Sequence, residues 1–346
     1  MESIYNITLK DLETYFVSIN DKPYKAKQVY DWLYVKRVDS FELMTNLKKD
    51  IIEKLKADYN IQKLEISKLE KGEEVSKYLF RLYDGEFIES VLMRHDYGLS
   101  ICISSQVGCN IGCSFCESGR TKKVRDLLAS EMLLQIMAIE EDIKDRISHV
   151  VIMGIGEPFD NYENVTKFIE IVNNPFGINI GSRHITVSTS GIVPKIKEFT
   201  TFPYQVNLAI SLHAANDELR NSLMPINRAY KIKELIEAIK EYINITNRRV
   251  TFEYIMISEV NDSDADALEL CKLLKGLNCY INLIPYNETS SINYKRSKKD
   301  KILHFYDIIK KNNLNVTIRR EFGSKISAAC GQLRSIKEDD VWNHFI

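Results

Sequence analysis

The sequence has no apolar run near the roughly 18 residues that a membrane-spanning helix requires. Its longest, residues 150–155, is already interrupted by Gly154. The opening residues, Met1-Glu-Ser-Ile-Tyr5, lack the basic start and apolar core of a secretory signal, so a cytoplasmic location is expected. Proline and glycine are sparse, 7 and 14 residues in 346, which excludes collagen-like and low-complexity character. Neither charge dominates: 47 Lys and Arg face 48 Asp and Glu, a net charge of -1, so bulk charge announces no polyanionic partner. Any nucleic acid must be met by local patches. What remains is an ordinary globular composition, 27% charged and 45% hydrophobic, long enough for one large domain with an appendage or for two domains.

Cysteine breaks this plainness. Seven of them, an odd number in a chain without an export signal, argue against a disulfide framework and for reduced thiols available to metal or catalysis. Cys102, Cys109, Cys113 and Cys116 fall within fifteen residues, while Cys271, Cys279 and Cys330 follow far downstream. Cys271 and Cys279 read as packing residues.

Residues 1–57 read as a small helical accessory domain. Leu9, Leu12, Phe16 and Ile19 fall at helical spacing, as do Val29, Trp32 and Leu33, then Leu47, Ile51 and Leu55. Residues 58–98 change period: alternation over 77–83, a turn at Asp84-Gly85 and an apolar run over 87–93 predict a β-hairpin extension. From residue 99 to 346, strands at 100–104, 149–153, 184–188, 206–211, 250–257 and 280–284 alternate with helices near 129–143, 161–173, 193–199, 231–245, 263–275 and 298–312. Such alternation predicts an α/β fold, a parallel sheet curled into a partial (β/α)6 barrel, with a last strand at 315–318 and a tail that holds Cys330. Chemistry in such folds gathers at the C-terminal ends of the strands. The loops expected there are 105–116, 154–158, 189–191, His213 and Asn287.

Cys109-Asn-Ile-Gly-Cys113-Ser-Phe-Cys116 follows the first barrel strand directly. Three thiolates on one short loop suit three corners of a cubane iron–sulfur cluster and leave its fourth iron open to a reacting ligand. Zinc is the alternative, with Cys102 as a possible fourth ligand. The C-x3-C-x2-C pattern with Phe115 before its last cysteine resembles the radical S-adenosylmethionine (SAM) enzymes. That resemblance implies a 4Fe-4S cluster on Cys109, Cys113 and Cys116, with SAM on the open iron as the source of a 5′-deoxyadenosyl radical.

Six further blocks narrow it: Ser104-Ser-Gln-Val-Gly-Cys109, Met153-Gly-Ile-Gly-Glu-Pro158, Ser188-Thr-Ser-Gly191, Ile210-Ser-Leu-His213, Met224-Pro-Ile-Asn227 and Ala328-Ala-Cys-Gly-Gln-Leu333. Together with Lys22-Pro-Tyr-Lys-Ala-Lys-Gln-Val-Tyr-Asp-Trp-Leu-Tyr34 they resemble the RlmN/Cfr family, which methylates an adenine ring carbon in RNA. The resemblance implies that Cys330 accepts a methyl group, that Cys102 resolves the protein–RNA adduct through a transient disulfide, and that Glu89 takes the ring proton. It further implies SAM contacts at Gly156, Glu157, Ser188, Ser211, Leu212, His213 and Asn287, and two SAM molecules per turnover. The expected partners are 23S rRNA and/or tRNA and an electron donor such as flavodoxin or ferredoxin, acting on a monomer without a membrane. Taken singly, the same residues have simpler readings: a buried thiol, a solvated carboxylate, a histidine that only caps a strand.

Pro158 and Ser190 resemble the carbon-2 branch of the family rather than the carbon-8 (Cfr) branch. The segment Glu117-Ser-Gly-Arg-Thr-Lys-Lys-Val-Arg-Asp-Leu127 departs from the family pattern, which leaves the RNA target open. Lys22, Lys25 and Lys27, the basic run 120–125, the run 295–301 and Arg319-Arg320 are candidate phosphate contacts, each also explicable as a solvated face. Two other classes compete: a zinc-containing RNA-binding protein without activity, and a radical enzyme for a small molecule.

Overall fold

The computed structural model describes residues 1–289, 291–319 and 331–333. The chain opens with β1 (Glu2–Ser3), α1 (Leu9–Ser18), α2 (Lys25–Tyr30), α3 (Lys49–Asp58) and β2 (Tyr59–Asn60), which pairs in parallel with β1. The Thr8 side chain caps α1 by accepting from Asp11 N at 3.1 Å, and Asp11 in the first turn suits the positive helix end. Leu12, Phe16, Val29, Leu33, Ile51 and Leu55 turn inward, as their spacing requires.

Next come β3 (Glu65–Lys71), β4 (Val75–Arg81), β5 (Phe87–His95) and β6 (Gly98–Ile103), joined in antiparallel order. The expected hairpin is therefore three strands, and it continues directly into the barrel sheet through β5 and β6. After β6 the short pair β7 (Gln106–Val107) and β8 (Arg125–Asp126) brackets the cysteine loop. The repeats follow as α4 (Ala129–Ile143), β9 (Ile147–Ile152), α5 (Tyr162–Asn173), β10 (Ile185–Thr189), α6 (Val193–Phe199), β11 (Asn207–Ser211), α7 (Asp217–Leu223), α8 (Ile232–Thr246), β12 (Val250–Met256), α9 (Asp264–Leu274), β13 (Cys279–Pro285), α10 (Lys299–Lys311) and β14 (Val316–Ile318).

One ten-stranded sheet results, in the order β14-β13-β12-β11-β10-β9-β6-β5-β4-β3, parallel from β14 to β6. Its end strands β14 and β3 are not paired with each other, so the barrel is partial. The α/β expectation holds, with strand and helix bounds close to those predicted and with α7 as an unforeseen addition.

Alternation along the parallel strands sorts the side chains onto two faces. Ile101, Val150, Ile152, Ile185, Val187, Ile210, Phe252, Ile281 and Leu283 join the apolar core. Ser100, Thr186, Ser188, Ser211, Thr251, Glu253 and Asn282 line the voids of the lumen. The polar lumen is what the fold leaves free for chemistry. Among the described residues no helix is long and apolar enough to cross a membrane.

The helical module is not hung loosely on this barrel. Its apolar residues and those of the barrel form one continuous cluster. Arg37 donates to Met137 O at 3.2 Å and pairs with Glu140, both on α4.

Candidate functional site

Two voids occupy the lumen. The larger, about 1180 Å³, reaches the N-terminal ends of the strands and is lined by His95, Arg183, Arg248 and Asn247 among others. The smaller lies at the C-terminal ends, where Cys109, Cys113, Cys116, Gly156, Glu157, Ser188, Ser190, Ser211, His213 and Gly331 line it. Only the second brings the chemistry-bearing motifs together, as expected for a strand-helix barrel.

The cysteine loop is held by backbone bonds at both ends. Gly108 crosses the chain at φ +73° so closely that a Cβ would lie 2.2 Å from Lys122 O, and Cys109 N donates to Thr121 O at 3.0 Å. Ser114 N donates to Leu223 O, at the end of α7, at 2.9 Å. Burial pushes the Cys109 thiol up to about 12, helped by the Glu157 and Cys116 charges and opposed by the Ile111 N–H. Burial also raises Cys113 well above the ordinary thiol range, reinforced by Cys116, Cys109 and Glu157 and opposed by Arg220. Thiols crowded and buried in this way are favoured as thiolates by a cationic group between them. Among the described residues no three His, Cys, Asp or Glu side chains close on a single metal ion. Three thiols on one loop at an open cavity match a cubane, which takes one thiolate on each of three irons, whereas a structural zinc asks for a fourth protein ligand.

Beside the thiols, Gly156 adopts φ +106°, and a Cβ there would strike Gln106 Cβ at 2.6 Å and Gln106 N at 2.9 Å. Only glycine fits. Gln106 also fixes the next residue, accepting from Glu157 N at 2.8 Å. The Glu157 carboxylate is buried and accepts from Ser190 N at 2.7 Å and Phe159 N at 3.0 Å; burial raises its pKa against those hydrogen bonds. The Ser188 hydroxyl is buried in the cavity wall without a hydrogen-bond partner, which an absent polar ligand would explain, whereas the Ser190 side chain leans on the Glu157 carboxylate.

The remaining expected contacts divide. Ser211 lines the cavity. The His213 ring is occupied structurally: Nδ1 accepts from Ile255 N at 3.1 Å, and the ring meets Phe115 edge-on at 4.9 Å. Leu212 is not brought to the cavity. Its side chain is in the core, its N–H donates to Glu253 O at 3.1 Å, and its carbonyl accepts from Arg220 at 3.1 Å. Asn287 sits half-buried, two residues beyond β13, at the same end of the barrel.

Glu89 and Cys102 lie on the adjacent strands β5 and β6, with Cys102 in register opposite Val91. Glu89 is 2% exposed, and its Oε1 lies 3.1 Å from Lys77 Nζ on β4. Cys102 packs with Val75, Val91, Met93, Ile155 and Leu333. Cys330 lies outside the described residues, as does Arg320. Its neighbour Gly331 lines the cavity and accepts from Glu117 N at 2.9 Å, and Ser118 Oγ donates to Leu333 O at 2.6 Å. The divergent 117–127 segment thus braces the residues that follow Cys330.

Sequence reasoning missed Gln106, Lys77 and Arg220, whose partners lie on other elements. Several of the basic residues named as candidate phosphate contacts are engaged in ion pairs. Lys123 is paired with Asp160 at 2.8 Å, Arg125 with Glu131 at 2.8 Å, Lys25 with Asp21 at 2.6 Å and Lys301 with Asp262 at 2.8 Å.

Comparison with known proteins agrees with this geometry. The Radical SAM superfamily matches residues 103–271, and the ribosomal RNA large subunit methyltransferase N-terminal domain matches residues 3–61. A Streptococcus thermophilus protein described as a probable dual-specificity RNA methyltransferase RlmN is 53% identical over 342 residues, 96% of this chain and 88% of its own length. A protein of the same description from Acholeplasma laidlawii is 52% identical, covering 96% and 98%. The crystal structure of a radical SAM methyltransferase from Sphaerobacter thermophilus superposes with a TM-score of 0.91 at 42% identity, covering 96% and 99%. With thiols, glycine-rich loop and an orphan hydroxyl at one barrel mouth and relatives matched along nearly their whole length, this chain belongs to the RlmN family of the radical SAM superfamily.

Proposed function

We propose that this chain is a radical SAM RNA methyltransferase that places a methyl group on carbon 2 of an adenine in 23S rRNA, tRNA or both. The observation that carries this reading is the meeting of three thiols, Gly156-Glu157 and the unpartnered Ser188 hydroxyl at one cavity. An adenine ring carbon between two nitrogens is electron-poor and does not attack a methyl cation equivalent, so ordinary displacement fails and radical chemistry is required. Cys109, Cys113 and Cys116 are the residues to hold a 4Fe-4S cluster, which with SAM supplies the electron and the adenosyl radical.

In this reading Glu157, Ser188, Ser190 and Ser211 orient the polar groups of SAM, and Gly156 allows its close approach. Cys330 accepts the first methyl group as a thioether. It then gives up a hydrogen atom to the adenosyl radical, the resulting carbon-centred radical bonds to the ring, and the adduct closes its shell by losing one electron to the one-electron donor couple together with the ring-carbon proton. Glu89, oriented by its ion pair with Lys77, takes the ring-carbon proton. Cys102 attacks the Cys330 sulfur, which frees the methylated base and leaves a disulfide for an external reductant. A second SAM per turnover, a flavodoxin- or ferredoxin-type donor, a monomeric state and a reducing, cytoplasmic setting complete the proposal. The base must leave its stack to reach the cavity. Pro158 and Ser190 favour carbon 2, and the relatives' description as RlmN supports the same branch.

The test uses anaerobically reconstituted protein and mass spectrometry of the RNA. Cys330→Ala is expected to abolish 2-methyladenosine formation, while Cys102→Ala is expected to accumulate a covalent protein–RNA adduct. Free product from Cys102→Ala at the wild-type rate would overturn its resolving role. Product methylated at carbon 8 would overturn the carbon-2 assignment.

A further inference from the structure

Arg220, on α7, heads the fully buried large side chains of this molecule. Its guanidinium donates to Ser190 O at 2.6 Å, Leu212 O at 3.1 Å, Ser211 O at 3.2 Å and Asn227 Oδ1 at 2.9 Å. All four acceptors are neutral. Asp217 is reached only through Asn227, whose amide donates to Asp217 Oδ1 at 2.8 Å, and that carboxylate also accepts from Ile232 N at 3.0 Å. Burial lowers the Arg220 pKa to about 10, so the group is still a cation at neutral pH. A dry cation among dipoles is costly unless an anion offsets it.

The same helix end anchors the cysteine loop. Leu223 O accepts from Ser114 N at 2.9 Å and from the Ser114 hydroxyl at 3.4 Å, and Gly112 lies against Pro225. Gly112 and Ser114, on either side of Cys113, therefore rest on the end of the same short helix that carries Arg220. The carbonyls that Arg220 gathers belong to the ends of β10 and β11, whose Ser188, Ser190 and Ser211 wall the cavity.

We infer that Arg220 is the built-in counter-charge of the three-thiolate site: it clamps the strand ends that face SAM and offsets the negative charge that Cys109, Cys113 and Cys116 carry when they hold a cluster. This rests on the cluster reading given above. Arg220 touches no substrate in this role and is a positioning residue. In a site without water to screen it, a fixed positive charge eases the addition of an electron and sets the cluster's reduction potential.

The test is the midpoint potential of the reconstituted full-length protein, followed by electron paramagnetic resonance during redox titration, after iron and sulfide content are matched. Arg220→Gln is expected to shift the potential to more negative values, while Arg220→Lys, which keeps the charge and loses the fork, stays near wild type. Asp217→Asn, which removes the remote acid and leaves Arg220 in place, is expected to shift it in the opposite direction. Arg220→Gln at the wild-type potential, or Arg220→Lys displaced as far as Arg220→Gln, would reduce Arg220 to a structural clamp and overturn the inference. Should Arg220→Gln not fold, Asp217→Asn decides alone, and an unchanged or more negative potential rejects the idea. Wild-type protein that assembles no 4Fe-4S cluster would instead sink the functional reading on which this depends.

Discussion

His213 shows how much one cavity residue does for the fold itself. It holds a left-handed backbone at φ 60°, and its carbonyl accepts from Asn261 at 2.9 Å. Burial, reinforced by the charge of Arg220, lowers its pKa from 6.5 to about 3. The folded ring thus stays neutral over a range in which the unfolded chain takes up a proton. Stability contributed by the neutral ring is present above the unfolded pKa and is lost as pH falls from 6.5 toward 3. The slope from this one group approaches about 1.4 kcal/mol per pH unit. Asn at this position can accept from Ile255 N and tolerates the same backbone, without a proton to gain. His213→Asn is therefore expected to flatten the dependence of Tm on pH between about pH 4 and pH 6. Identical slopes for the two proteins in thermal denaturation would refute that account.

At the scale of elements, α7 has the largest influence for its length. Its seven residues carry Arg220, end on the carbonyl that anchors Ser114, and start from Asn216, whose side chain accepts from Leu219 N at 2.9 Å. Asn216→Ala should cost about 1 kcal/mol, read as a lowered Tm, because the cap satisfies an orphan donor. An unchanged Tm would mean that the helix is held from its other end. The element is also the clearest case of what a sequence conceals. Asp-Glu-Leu-Arg-Asn-Ser-Leu resembles a solvated turn, since an arginine among polar neighbours gives no sign of burial. The third antiparallel strand, Glu-Ile-Ser-Lys-Leu-Glu-Lys, is masked in the same way by its charges. The barrel strands and long helices were legible because runs of Val and Ile, and spacings of three and four, follow directly from where those elements bury their faces. The cysteine loop and Gly156-Glu157 were legible because their chemistry is contiguous. The pairings Lys77–Glu89 and Gln106–Glu157 were not, because register between strands creates them.

At the scale of the molecule, the helical module and the barrel share one apolar core, and Arg37 bolts the first to α4. Cutting the chain after residue 57 would uncover that core. Residues 58–346 alone are expected to melt below the full-length protein and to bind a hydrophobic dye; a truncated barrel with wild-type Tm and no dye binding would show that the shared core is dispensable. Continuity of packing has a second effect. To swing apart, the two would have to open apolar surface to water, so whatever loosens the shared core loosens both parts at once.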